Sequence, residues 1–176
     1  MAFKICNRET PDDGSLLSLR SERIVRALLD IGMTHSVGVP DNSSRMIFEL
    51  CDKNPNVQTI LVCREGEAWS IASGLWIGGA IPIVIIQNTG FFESGDALRG
   101  TAIEMGVPLV ALLTYRGYRS LGTESVDTAA SFFEPMLKAW GMPYHILTAD
   151  TESKVFRTAQ KEAEALRKPV GVLMTR

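Results

Sequence analysis

No stretch of this chain reaches the ~18 consecutive apolar residues that a membrane-spanning helix requires, so no such helix is expected within it. The opening residues, MAFKICNRETPDDGS, lack the apolar centre of a signal peptide. No block of lysine and arginine occurs, and 18 basic against 20 acidic side chains leave a net charge of −2. Nucleic acid and anionic membrane are therefore poor partners. Cysteine is scarce: Cys6, Cys51 and Cys63 are odd in number and share no CxxC spacing, which supports neither a disulfide framework nor a zinc site. A reduced, cytoplasmic protein is expected. Histidine is scarcer still, and His35 and His145 fall at the starts of two predicted strands, so metal ligation or a histidine relay is not expected.

Several nucleotide and nucleophile signatures are absent as well. There is no GxGxxG for a dinucleotide fold, no GxxxxGK[ST] phosphate loop and no GxSxG elbow. Trp69, Trp76 and Trp140 fall in helical segments, where packing is the simplest role. The charged run KEAEALRK reads as a solvated helix face with i,i+4 pairs.

What is present is a regular alternation. The segment LLSLRSERIVRALLDIG spaces Leu17, Ile24, Ala27, Leu28 and Ile31 close to a 3.6-residue period, predicting an amphipathic helix. Strands are predicted at HSVGVP, VQTILVC, IPIVIIQN, VPLVALLTY, PYHIL and PVGVLMT, with helices between them, one carrying Pro135 in its middle. The runs ILVC and IVII are continuously apolar, as in strands covered on both faces. The pattern predicts an α/β fold: a three-layer domain with a mostly parallel six-stranded sheet flanked by helices. Residues 1–15 read as a loose arm and residues 16–176 as a single domain.

In open parallel sheets ligands bind outside the carboxyl ends of the strands. That rule selects four loops, residues 38–44, 64–67, 87–96 and 114–123, which hold Asp41, Asn42, Glu65, Gln87, Asn88, Thr89 and Arg116. Glu65 stands out. The apolar run Ile60–Cys63 ends abruptly in Arg64-Glu65, and a helix rich in Ser, Ala and Gly follows, with a second acid at Glu67. A carboxylate at a helix amino end can be a simple cap, stabilised by the dipole. The small side chains of ASGLWIGGA would let another backbone come close, and a carboxyl covered in that way could trade a proton with a bound base.

Five segments in order, GVPDN (38–42), REGEA (64–68), IPIVIIQNTG (81–90), DAL (96–98) and GVPLVALLTYRG (106–117), resemble the pyrimidine-binding (PYR) domain of thiamine-diphosphate enzymes. Within that superfamily the chain is most similar to sulfopyruvate and phosphonopyruvate decarboxylases, over roughly residues 20–150. The resemblance implies that Glu65 is the catalytic glutamate that hydrogen-bonds N1′ of the cofactor aminopyrimidine. It further implies that Glu65, Gln87, Asn88, Thr89 and Gly90 contact thiamine diphosphate. Asp41 and Asn42 would face the substrate, a small anionic 2-oxo acid such as sulfopyruvate, and Arg116 would hold its anionic tail or form a structural ion pair. Cofactor chemistry of this kind leaves the protein to orient groups and share one proton.

A complete enzyme of this family also needs a diphosphate-binding (PP) domain, whose Gly-Asp-Gly…Asn motif holds Mg²⁺. SGDAL at residues 94–98 only mimics it, since Ala97 replaces the second glycine. The resemblance thus implies half an active site: an alpha subunit with a PP-domain beta subunit as partner, together with association of PYR chains through the Gly/Ala face of the Glu65 helix. There are departures. GFFESGDAL replaces the family's small-residue turn, so Glu93 would repel an anionic substrate and Phe91 with Phe92 would shape an apolar pocket. The segment YRSLGTESVDTAASFFEP also lacks the family's usual stretch. A non-catalytic assembly subunit with the same fold, or a flavodoxin-like nucleotide-binding module, are the alternatives.

Overall fold

The computed structural model describes residues 14–148, 151–152 and 154–175; the expected arm at residues 1–15 lies almost wholly outside them. The elements run in the order α1 (Gly14–Asp30), β1 (His35–Gly38), α2 (Arg45–Asp52), β2 (Gln58–Leu61), α3 (Glu65–Ile77), β3 (Pro82–Gln87), α4 (Asn88–Glu93) and α5 (Gly95–Ala97). A π-helical stretch, Leu98–Ile103, follows, then β4 (Val110–Thr114), α6 (Thr128–Ala139), β5 (Tyr144–Leu147), α7 (Val155–Leu166) and β6 (Val170–Met174). The six strands form one sheet in the order β2-β1-β3-β4-β6-β5. Every pairing in it is parallel.

Alternation along the central strands builds two cores. Ile83 and Ile85 of β3, with Leu112 and Val172, meet α1, α2 and α7 on one face. Val84 and Ile86, with Ala111, Leu113 and Leu173, meet α3, α4 and α6 on the other. Both faces of β3, β4 and β6 are buried, which is why those strands read as unbroken apolar runs.

The run Ile60–Cys63 has a different cause. Its strand, β2, lies at the sheet edge, and Leu61 is 59% exposed. The expectation of a buried strand ahead of Glu65 is therefore corrected: an apolar run does not by itself say which neighbours cover it. A second correction concerns residues 87–96, expected as a loop. The helix α4 starts at Asn88, directly after β3. Asn-Thr-Gly reads as a turn, but Phe91 is buried edge-on against Phe133 and holds the segment in helical geometry. Pro135 is accommodated within α6, which begins with Asp127 accepting a hydrogen bond from the Ala129 amide.

The parallel order sets the carboxyl ends of β1 to β4 on one edge. β1 and β3 approach so closely there that a Cβ on Gly38 would lie 1.9 Å from the Ile85 carbonyl oxygen. Only glycine fits.

Candidate active site at the carboxyl edge of the sheet

Asp41, just beyond β1, is the hub of this edge. Its Oδ1 accepts hydrogen bonds from the Ser43 amide (2.9 Å), the Ser44 amide (2.7 Å) and the Ser44 hydroxyl (2.7 Å). Its Oδ2 accepts from Gln87 Nε2 at 2.7 Å and from Thr114 Oγ1 at 2.6 Å. Gln87 and Thr114 are register partners at the ends of β3 and β4, so a single carboxylate ties three strand ends together. Burial alone would raise its pKa, but the hydrogen bonds from Thr114, Ser44 and Gln87 outweigh it and hold the group below the ordinary aspartate range. Asp41 is thereby saturated by protein donors. Asn42 beside it is exposed.

Gln87 passes the network on. Its Oε1 accepts a hydrogen bond from the Thr89 hydroxyl at 2.7 Å. Asn88 turns the other way: fully buried, it donates from Nδ2 to the carbonyls of Arg116 (3.0 Å) and Ala129 (3.1 Å), which fastens the loop after β4 and the start of α6 to α4. Its Oδ1 has no partner among the described residues. The Arg116 guanidinium is exposed and pairs with Asp127 at 3.3 Å.

Glu65 opens α3 and is half-buried. Its carboxylate lies against Gly90 of α4, where a built Cβ would fall 2.3 Å from Glu65 Cγ and Oε1. The neighbours of Glu65 are bound to the same short helix. Glu93 pairs with the Arg64 guanidinium and accepts a hydrogen bond from the Gly66 amide at 3.1 Å. The Arg64 hydrogen bond, then the Gly66 amide, lower the Glu93 pKa. Glu67 accepts from the Cys63 and Arg64 amides and so closes the helix start. The carboxylates of Asp41, Glu67, Glu93 and Asp127 are all engaged, whereas that of Glu65 accepts no hydrogen bond from any described residue.

Two expectations from the residues 91–95 turn change accordingly. Glu93 does not stand as a free negative charge; Arg64 neutralises it. Phe91 is 2% exposed, in the core rather than lining a pocket, and Phe92 packs edge-on against Phe133. The alanines of α3 also differ from expectation. Ala68 and Ala72 face the sheet with Trp69, whose indole donates to Ser94 Oγ at 3.0 Å. The outward face carries Ser70, Ile71, Gly74 and Ile77. An open groove of about 470 Å³ at its amino end is lined by Arg64, Gly66, Glu67, Ser70, Ile71 and Glu93 among others.

The sequence reading did not single out Ser44, Thr114 and Asp127. Thr114 carried a signal, a polar residue closing a fully apolar strand. The roles of Ser44 and Asp127 depend on loop geometry.

The carboxyl edge of this parallel α/β domain thus presents, at the start of α3, a carboxylate that accepts no hydrogen bond from a described residue and lies against Gly90 of α4. Residues 20–142 match the family described as thiamine pyrophosphate enzyme, N-terminal TPP binding domain, and the chain belongs to that family. Among its relatives is the sulfopyruvate decarboxylase subunit alpha of Methanothermobacter thermautotrophicus, 28% identical over 156 residues, covering 87% of this chain and 85% of that one. The protein of the same name from Methanococcus maripaludis is 23% identical, covering 88% and 93%. The phosphonopyruvate decarboxylase of Streptomyces viridochromogenes is 30% identical over 94 residues, 53% of this chain and 24% of that protein. Among solved structures, benzoylformate decarboxylase from Polynucleobacter necessarius superposes with a TM-score of 0.71 at 20% identity, over 89% of this chain and 29% of that one. That likeness shows the shared fold. No described helix is long and apolar enough to cross a membrane.

Proposed function

We propose that this chain is the alpha (PYR) subunit of a two-chain thiamine-diphosphate-dependent decarboxylase acting on a small anionic 2-oxo acid such as sulfopyruvate. The observation that carries the reading is Glu65: a half-buried carboxylate with no hydrogen-bond donor among the described residues, held against Gly90 at the carboxyl edge of a thiamine-family domain. The residues fit the group. Glu65 leaves an acceptor open for a ring nitrogen, and its chain neighbours Arg64 and Gly66 are fixed on Glu93.

Thiamine diphosphate, when bound, supplies the electron sink that makes loss of carbon dioxide from a 2-oxo acid possible. Glu65 would share a proton with the pyrimidine nitrogen and thereby activate the cofactor. Arg64 and Gly66, both tied to Glu93, keep the Glu65 backbone from shifting. Gln87, Thr89 and Gly90 line the pyrimidine position, and Asn88 supports them from below through Arg116 and Ala129. Asp41 orders the loop that carries Asn42 toward the substrate. Arg116 remains available at the surface to an anionic group in exchange for Asp127.

Among the described residues no cluster of three His, Cys, Asp or Glu is placed to hold a metal ion. Mg²⁺ and the diphosphate would be held by a PP-domain beta subunit, and the outward face of α3 would receive another PYR chain. Two relatives that match nearly full length are named subunit alpha, which supports the split arrangement. The test is purification of the chain from its source with identification of what accompanies it. A partner with a Gly-Asp-Gly…Asn motif, and thiamine-dependent carbon dioxide release by the pair, is the expected result. A chain that stays alone and gains no such activity with PP-domain chains refutes the proposal.

A further inference from the structure

Asp41 and Thr89 are joined through Gln87, and the chemistry of the three groups fixes the direction of each hydrogen between them. An ionised carboxylate only accepts hydrogen bonds. Asp41 Oδ2 lies 2.7 Å from one end of the Gln87 amide and 2.6 Å from the Thr114 hydroxyl. Gln87 must therefore turn its NH₂ to Asp41, because the reversed amide would set two acceptor oxygens in contact. The far end of that amide is then the carbonyl, 2.7 Å from Thr89 Oγ1. A carbonyl also only accepts, so the one hydroxyl hydrogen of Thr89 is committed to Gln87. Toward anything else Thr89 shows lone pairs alone.

We infer that Asp41 is a positioning residue that sets Thr89 as an obligate acceptor, so that the ligand group read at Thr89 is an N–H or O–H donor and not a carboxylate, sulfonate or phosphonate. Three donors on Asp41 Oδ1 hold the carboxylate against rotation. Its lowered pKa keeps it charged, and so acceptor-only, at neutral pH. Thr89 stays partly exposed and is adjacent in the chain to Gly90, which carries the Glu65 carboxylate. The anionic tail of a 2-oxo acid finds no donor at Thr89 and must be held elsewhere. This inference rests on the reading of this edge as the cofactor and substrate site.

The relay is testable in the chain by itself. In nitrogen-15-labelled protein the Gln87 side-chain amide protons should be well separated and slow to exchange. In Asp41→Asn, the new amide can donate to Gln87, whose own amide then reverses, so these resonances should move strongly. Unchanged resonances overturn the relay. Thr89→Val, which is close to isosteric, covers the case of a poorly folded Asp41 variant. It should leave the Gln87 amide protons protected, and their loss there would show that Asp41 does not hold them.

In the assembled enzyme with its PP-domain chain, thiamine diphosphate is the probe. Thr89→Ser should stay within about threefold of wild type in cofactor affinity and KM. Thr89→Val should weaken one of the two by about tenfold, the scale of one lost hydrogen bond. A valine variant equal to wild type in both, or a serine variant as weak as valine, overturns the acceptor role. If the wild-type assembly itself neither binds thiamine diphosphate nor releases carbon dioxide, the functional reading fails, and the relay then stands or falls on the Gln87 resonances.

Discussion

The Glu65 carboxylate occupies the space where any side chain at Gly90 would begin, with Glu65 Oε1 2.3 Å from the ideal Cβ position. One residue's missing atom is thus the other's seat. In Gly90→Ala the clash falls on the far end of a flexible side chain, so the expected outcome is a folded protein with Glu65 swung aside. Its melting temperature should stay within a few degrees of wild type, while turnover of the assembled enzyme falls at least about 100-fold, the scale of lost acid–base participation. Thermal unfolding and single-turnover kinetics on one preparation check both halves. Normal turnover would show that Glu65 is not held by Gly90.

Gly38 presents the opposite case, since its neighbour is backbone. A Cβ there would lie 1.9 Å from the Ile85 carbonyl oxygen, across the β1–β3 pairing. Gly38→Ala should destabilise the chain by at least about 3 kcal/mol, the upper range for overpacking. Urea unfolding measures it. A loss below 1 kcal/mol, on the order of an ordinary surface change, would contradict the close approach.

Glu93 ties Arg64 and the Gly66 amide to α4. Both partners are exposed, so the ion pair contributes little to stability. Glu93→Ala should leave the melting temperature nearly unchanged yet raise hydrogen exchange at the Gly66 amide. It should also lower kcat more than it raises KM. Exchange at Gly66 equal to wild type would remove Glu93 from the support of α3.

Asp41 makes a pH prediction whose sign is set by its lowered pKa. A carboxyl with a folded pKa below its ordinary value of 3.8 contributes stability that is present above that value and is lost as pH falls through the folded pKa. The chain should lose stability below about pH 4, where unfolding favours protonation. Asp41→Asn should be less stable than wild type at pH 7 and lose less on acidification. Chemical denaturation at pH 7 and pH 3 measures the difference. Parallel pH profiles for the two proteins would mean that Asp41 is not the responsible group.

The parallel sheet was legible because β3, β4 and β6 are buried on both faces and read as continuous apolar runs. Edge position was not legible. Leu61 is as apolar as Leu112, and only the strand order separates them. The carboxyl-edge rule selected the segments that do converge: Gln87 meets Asp41, Asn88 meets the Arg116 backbone, and Glu65 meets Gly90. The purpose of each group was harder to read. In sequence Asp41 reads as a polar group facing the substrate, and nothing there shows the five donors that engage it. Glu93 reads as a free charge, and nothing there shows Arg64 beside it. Polar residues declare their type in sequence, but their saturation depends on long-range geometry.

The most direct test of the account is turnover of Glu65→Gln assembled with the PP-domain chain, measured as thiamine-diphosphate-dependent carbon dioxide release from a 2-oxo acid. Glutamine keeps the shape against Gly90 and loses the shared proton. The account predicts a folded, assembled protein with turnover reduced by about 100-fold or more. Near-normal turnover in that variant would contradict it.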